Sequence, residues 1–103
     1  MNDKYSFKFS KTGEMIYISH LDLLRLFARA ARRADLPVAL TQGYNPRFKI
    51  RVNRALKLGV SSDNEEGEFV LNEKIGEGQL KERWQAQLPS GIEIKEIKFQ
   101  ANA

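Results

Sequence analysis

The side chains of this sequence with the clearest chemical potential are cations. In the stretch TQGYNPRFKIRV, residues 41–52, Arg47, Lys49 and Arg51 alternate with Phe48, Ile50 and Val52, and Arg54 follows. Alternate residues of an extended strand share a face, so the three cations form a row. Like charges at neighbouring positions on one face repel by a few tenths of a kcal/mol per pair, so such a row is disfavoured unless acids lie opposite or an anion binds. Arginine is the better residue for bidentate phosphate contacts, and residues 47–57 carry three Arg to two Lys. Phosphate binding accounts for the row more economically than solubility does. A second set of cations, Arg25, Arg29 and either Arg32 or Arg33, recurs at helical spacing and shares a face, with Arg33 taken as the third member. A solvated helix face partly neutralised by Asp22 and Asp35 explains this second set equally well.

Tyr44 stands in a polar Gly-Tyr-Asn-Pro turn close to Arg47. An exposed ring beside a guanidinium is the pairing that stacks on an unpaired base; packing of the ring over Pro46 is the alternative. His20 is the only histidine, which excludes sites built on two imidazoles. It could serve a metal-independent endoribonuclease by moving the 2′-OH proton, with Tyr17 and Lys11 as helpers that stabilise the phosphorane charge. A histidine hydrogen-bonded at a helix start is the commoner arrangement. The acids of DNEE, residues 63–66, lack the ligand spacing of a calcium loop, and neither a phosphate-binding loop nor a dinucleotide fingerprint is present. No metal site and no cofactor are expected.

Charge is unevenly distributed around these residues. Residues 1–60 carry twelve Lys/Arg against four Asp/Glu, whereas residues 61–103 carry five against nine. This asymmetry points to an anion-facing side, with nucleic acid the commonest partner, unless folding interleaves the two signs. The 103 residues fit one domain, and the 42% hydrophobic and 29% charged content is that of a soluble globular chain. The absence of cysteine excludes disulfides, iron–sulfur clusters and thiol nucleophiles, and is compatible with a reducing compartment. No apolar run is long enough to span a bilayer and the N-terminus lacks a signal-peptide core, so a cytoplasmic location is expected.

The elements that must position these groups follow from periodicity. YSFKFS alternates as a half-buried strand, KTGE is a turn, and MIYI reads as a short strand folding back on the first. Ser19 with Asp22 marks a helix start, Leu23, Leu24, Phe27, Ala30, Ala31 and Ala34 form its core stripe, and Pro37 ends it. VAL is a short strand before the Gly43–Pro46 turn, and the next strand runs from Phe48 through Leu56 and Leu58 to Gly59. SSDNEEG reads as a polar loop and EFVLN as a strand. Leu80, Trp84 and Leu88 mark one face of a second helix. In the last strand, Ile92 and Ile94 are offset by one residue from Ile97 and Phe99, as a bulge at Lys95-Glu96 would produce. The order suits an α+β, ferredoxin-like split βαβ fold, with two helices on one face of an antiparallel sheet and an extra hairpin. Right-handed crossovers place the first and third main strands at its middle.

The segments SKTG, ISHLDLLR, RRADLPVA and GYNPRFKI, continuing into ALKLGV, resemble a bacterial domain of unknown function linked to radical SAM proteins, which is found beside them or fused to their C-termini. The resemblance spans about residues 5–99. That family usually has a second proline where this chain has Phe48 and a serine where it has Arg51. The resemblance implies association with a radical SAM enzyme and a role in RNA metabolism. At the level of fold the chain is also distantly similar to CRISPR repeat-processing endoribonucleases, an analogy that says little about activity. The expectation is an RNA-binding accessory module, with an endoribonuclease using His20 and a domain docking on an acidic protein as alternatives. The sequence leaves the oligomeric state open.

Overall fold

The alternation of Tyr5, Phe7 and Phe9 with Ser6 and Lys8 produces β1 (Asp3–Lys11), one of the two inner strands of a four-stranded sheet. The computed structural model describes residues 2–55 and 57–102. After β1 come α1 (His20–Arg33), β2 (Ile50–Val52), β3 (Ser62–Leu71), α2 (Glu77–Gln85) and β4 (Ile92–Asn102). The strand order is β2-β3-β1-β4 with every neighbouring pair antiparallel. Each βαβ half therefore skips one strand, which is the ferredoxin-like split βαβ arrangement with the first and third strands inside.

Local chemistry sets the ends of α1. The Ser19 hydroxyl accepts a hydrogen bond from the Asp22 backbone N–H at 3.1 Å, while the Asp22 carboxylate turns outward to Arg25. The helix ends at Arg33, before Pro37 is reached. Asp35 takes a left-handed conformation (φ 54°), with Leu36 N–H donating to the Ala31 carbonyl and Asp35 N–H to that of Arg32. This is a Schellman closure, which satisfies the last carbonyls without proline.

Four sequence expectations are corrected. MIYI is not a strand: Gly13–Tyr17 forms a 3-10 helix, because β1 is already paired on both sides and offers no edge to fold back on. VAL makes only isolated bridges, Val38 to Leu71 and Leu40 to Phe48. The strand expected from Phe48 to Gly59 is confined to Ile50–Val52, after which Leu58 is exposed; Leu56 lies outside the described residues. SSDNEEG is not a loop, since β3 begins at Ser62. Two of its acids meet cations once the strand is paired: Glu66 lies opposite Lys8, and Glu65 accepts from Arg54. The bulge expected in β4 is present, with Lys8 opposite Glu96 and Phe9 opposite Ile94, leaving Lys95 as the extra residue.

The core lies between the sheet and the helices. Phe7 packs on Phe9, Phe27, Phe69 and Trp84, with centroid distances of 4.9–5.8 Å. The ring of Phe7 lies over Gly67, where a Cβ would come within 2.6 Å of it and 2.5 Å of the Arg51 carbonyl. Only glycine fits this crossing point. Trp84 Nε1 donates to the Phe27 carbonyl at 3.1 Å, and Arg83 donates to the Ala34 and Asp35 carbonyls, tying α2 to α1.

The outer edge of β4 is closed by α2. Glu77, Lys81 and Gln85, four residues apart on one helix face, all reach its backbone. Gln85 donates to the Ile92 carbonyl (3.0 Å) and accepts from Ile94 N–H (2.6 Å), Lys81 donates to the Lys95 carbonyl (3.0 Å), and Glu77 accepts from Phe99 N–H (2.6 Å). These side chains occupy groups that a further strand would use. Replacing all three with alanine is expected to produce concentration-dependent association beyond that of the parent chain. Light scattering after gel filtration checks this, and unchanged masses at every concentration would show that the edge needs no guard.

Candidate nucleic-acid interface

The open face of the sheet is polar and internally neutralised. Glu68 receives Lys4 at 3.0 Å and Arg51 Nε at 2.8 Å, and Glu96 is approached by Lys8 (3.8 Å) and Lys98 (3.5 Å). The lysine beside it holds the Glu68 carboxyl below the usual carboxylate range, with Arg51 adding to the effect. The hollow on this face is lined by Ser6, Lys8, Asn53, Glu66, Glu96 and Gln100 among others, and by no exposed ring. Ferredoxin-like modules that stack bases on their sheets need aromatics there. This face has none to offer.

The cations converge elsewhere, in a groove of about 1030 Å³ between α1 and β2. The α1 wall presents Leu21, Leu24, Arg25, Ala28 and Arg32; the other wall presents Pro46, Arg47, Phe48, Lys49, Ile50 and Arg51. Arg32 lies over the Phe48 ring, its guanidinium carbon 5.0 Å from the centroid. Among the described residues Arg32, Arg47 and Lys49 form no ion pair, whereas Arg25 meets Asp22 and Arg51 meets Glu68. Bringing three uncompensated cations to one concave surface raises the local potential and favours an anion there.

The loop carrying Tyr44 closes on itself next to this groove. Thr41 N–H donates to the Arg47 carbonyl at 2.7 Å, and the Thr41 hydroxyl accepts from Arg47 N–H at 3.0 Å. Gly43, at φ 120°, makes the sharp turn that few L-residues could. Tyr44 projects fully into solvent at the tip, so of the two readings of this ring the exposed one holds, without packing over Pro46.

Of the cations singled out in the sequence, Arg25, Arg47, Lys49 and Arg51 line the groove; Arg29, Arg33 and Arg54 do not. Arg32 takes the place given to Arg33. The signal lay in the spacing, because Arg32 is seven residues from Arg25 and returns to the same helix face, whereas Arg33 is displaced by nearly a quarter turn. Phe48, which alternates with the cations at the spacing of a core-facing strand residue, is half-buried and shared between core and groove. Lys4 and its partner Glu68 also line the groove, and nothing in the first strand's pattern points to Lys4, because its place there depends on where β3 and β2 pair.

Arg54 has a structural partner. It makes two hydrogen bonds to Glu65, at 3.1 and 3.0 Å, and Ser62 also donates to that buried carboxylate. The Arg54 guanidinium is the main reason the Glu65 carboxyl lies below its ordinary range, with burial opposing it. A depressed folded-state value stabilises the fold fully above the unfolded value of about 4.3 and is lost as pH falls through the folded value. Glu65→Gln is therefore expected to flatten the fall of melting temperature below about pH 4.3. Thermal melts across the acid range check this; an acid limb as steep as the parent's would contradict it.

The catalytic candidates are not assembled by hydrogen bonds. Lys11 is fully buried and its amine donates to the carbonyls of Lys57 (3.1 Å) and Ile16 (3.4 Å). Tyr17 is largely exposed on the 3-10 helix, and the buried Nδ1 of His20, the first residue of α1, has no hydrogen-bond partner among the described residues. Lys11 would have to abandon both carbonyls to reach a phosphate. Among the described residues no group of three or more His, Asp or Glu could hold a metal ion, and no helix is long and apolar enough to cross a membrane.

No curated protein matches the sequence. The family described as "Uncharacterized protein conserved in bacteria (DUF2344)" matches residues 4–102, nearly the whole chain, including both walls of the groove and the Tyr44 loop. The chain belongs to this conserved bacterial family.

Proposed function

We propose that this domain is an RNA-binding accessory module that holds RNA phosphates in the groove between α1 and β2 and works beside a radical SAM enzyme in RNA metabolism. The observation that carries the reading is the set Arg32, Arg47 and Lys49, which among the described residues lack carboxylate partners and line one concave surface, whereas Lys4, Arg51 and Arg54 are paired with Glu68 and Glu65. The accessory role fits a chain without cysteine, which cannot itself ligate an iron–sulfur cluster. The link to radical SAM enzymes rests on the resemblance in sequence alone.

The test is to purify the protein without nuclease, sequence the nucleic acid that accompanies it, and measure affinity for that RNA against salt. Three to five phosphate contacts on a single strand predict a slope of log K on log salt of about −2 to −3.5. A flat dependence would refute phosphate-driven binding. A protein that co-purifies after nuclease treatment would assign the groove to an acidic protein surface instead. The nuclease reading rests on His20 alone. It stands only if the protein cleaves structured RNA in EDTA and His20→Ala abolishes that cleavage.

A further inference from the structure

The groove is lined in a way that a duplex would leave unused. Half-buried Leu24, Phe48 and Ile50 line it together with exposed Arg32, Arg47 and Lys49. An A-form duplex presents phosphates and 2′-hydroxyls and keeps its base faces stacked inside, so it would engage the cations but not the apolar surface. A partner whose bases are free would use both. The Arg32 guanidinium carbon already lies over the Phe48 ring, 5.0 Å from its centroid, and a guanidinium plane is a surface on which an unpaired base stacks. Tyr44 adds a second ring, fully exposed at the tip of the loop whose base, Thr41, Pro46 and Arg47, lines the same groove. The ion-paired sheet face, whose hollow is lined by no exposed ring, provides no competing platform for bases.

We propose that the groove selects unpaired RNA: one base extends the Phe48–Arg32 stack, a neighbouring base meets Tyr44, and the intervening phosphates lie on Arg47 and Lys49. This rests on the RNA-binding reading and adds to it a preference for strand state. In this arrangement the cations supply affinity and salt dependence, while the rings supply discrimination against duplex.

The test compares a fluorescein-labelled single-stranded 12-mer RNA with a duplex of equal length by anisotropy, using the parent protein, Phe48→Leu and Tyr44→Ser. Phe48→Leu keeps an apolar side chain against the core, and circular dichroism confirms its fold. Tyr44→Ser alters a fully exposed position and cannot disturb packing. The parent is expected to prefer the single strand. Each substitution should weaken single-strand binding by about tenfold, the loss of one stacked base, with duplex affinity and the salt slope unchanged. Equal binding of both forms, with neither variant affected, would overturn the strand preference while leaving the phosphate-binding reading intact. Binding of neither form at low salt would overturn both.

Discussion

Replacing Arg32, Arg47 and Lys49 together by glutamine is expected to weaken single-stranded RNA binding by about a hundredfold at about 0.1 M salt and to reduce the magnitude of the salt slope by about 2. The figure follows from counterion release, in which each phosphate contact to a single strand contributes about 0.7 to the slope, or roughly fivefold in affinity at about 0.1 M salt. Glutamine keeps length and hydrogen-bonding capacity, so the change isolates charge. All three side chains are exposed or unpaired among the described residues, and the fold should survive their loss. The informative control is Arg29→Gln with Arg33→Gln. These two arginines are exposed and close in sequence to Arg32 but do not line the groove. Their removal should cost much less per charge and leave the slope nearly unchanged. Equal losses from both variants would mean that the domain attracts RNA through its overall positive field, without a groove.

The largest effect on stability is expected at Trp84. The indole packs on Phe7, Phe27 and Phe69 at centroid distances of 4.9–5.2 Å and is 1% exposed. Trp84→Ala should cost about 3–5 kcal/mol, because transfer free energy and a cavity at the meeting point of sheet and helices are lost together. For a domain of this size that is a large fraction of a total of roughly 5–15 kcal/mol. Urea denaturation followed by far-ultraviolet circular dichroism gives the value. Trp84→Phe should retain most of the packing and lose mainly the hydrogen bond to the Phe27 carbonyl, about 1 kcal/mol. A loss below about 1 kcal/mol for Trp84→Ala would show that the aromatic cluster is not what holds the layers together.

The parts of the fold legible in the sequence were those where one signal dominates. Period-two aromatics identified β1, Ser19 capped α1, and the offset between Ile94 and Ile97 revealed the bulge in β4. What misled was polar sequence inside regular structure. Ser62–Glu66 reads as loop because its acids are hydrophilic, yet it is a strand in which Glu66 faces Lys8 of β1 and Glu65 accepts from Arg54, contacts that exist only once the sheet has formed. MIYI reads as strand because its residues suit one, but a strand needs a free edge and β1 has none. The candidate site divided along the same line. The cations were visible as residue types, but whether each was compensated depended on partners distant in sequence: Glu68 for Arg51 and Glu65 for Arg54. The choice of Arg32 over Arg33 required the helix to be placed against Phe48. The notion of one continuous cationic strand face gives way to a groove shared between helix and strand.

Backbone amide shifts of the labelled 11.8 kDa protein titrated with single-stranded RNA separate binding in this groove from binding on the open sheet face. Binding in the groove gives the largest perturbations at Leu24, Arg25, Ala28 and Arg32 on α1 and from Thr41 to Arg51, with Lys8, Glu66, Glu96 and Lys98 on the open sheet face nearly still. Perturbations centred on the sheet face, with α1 and the Tyr44 loop unmoved, would contradict it.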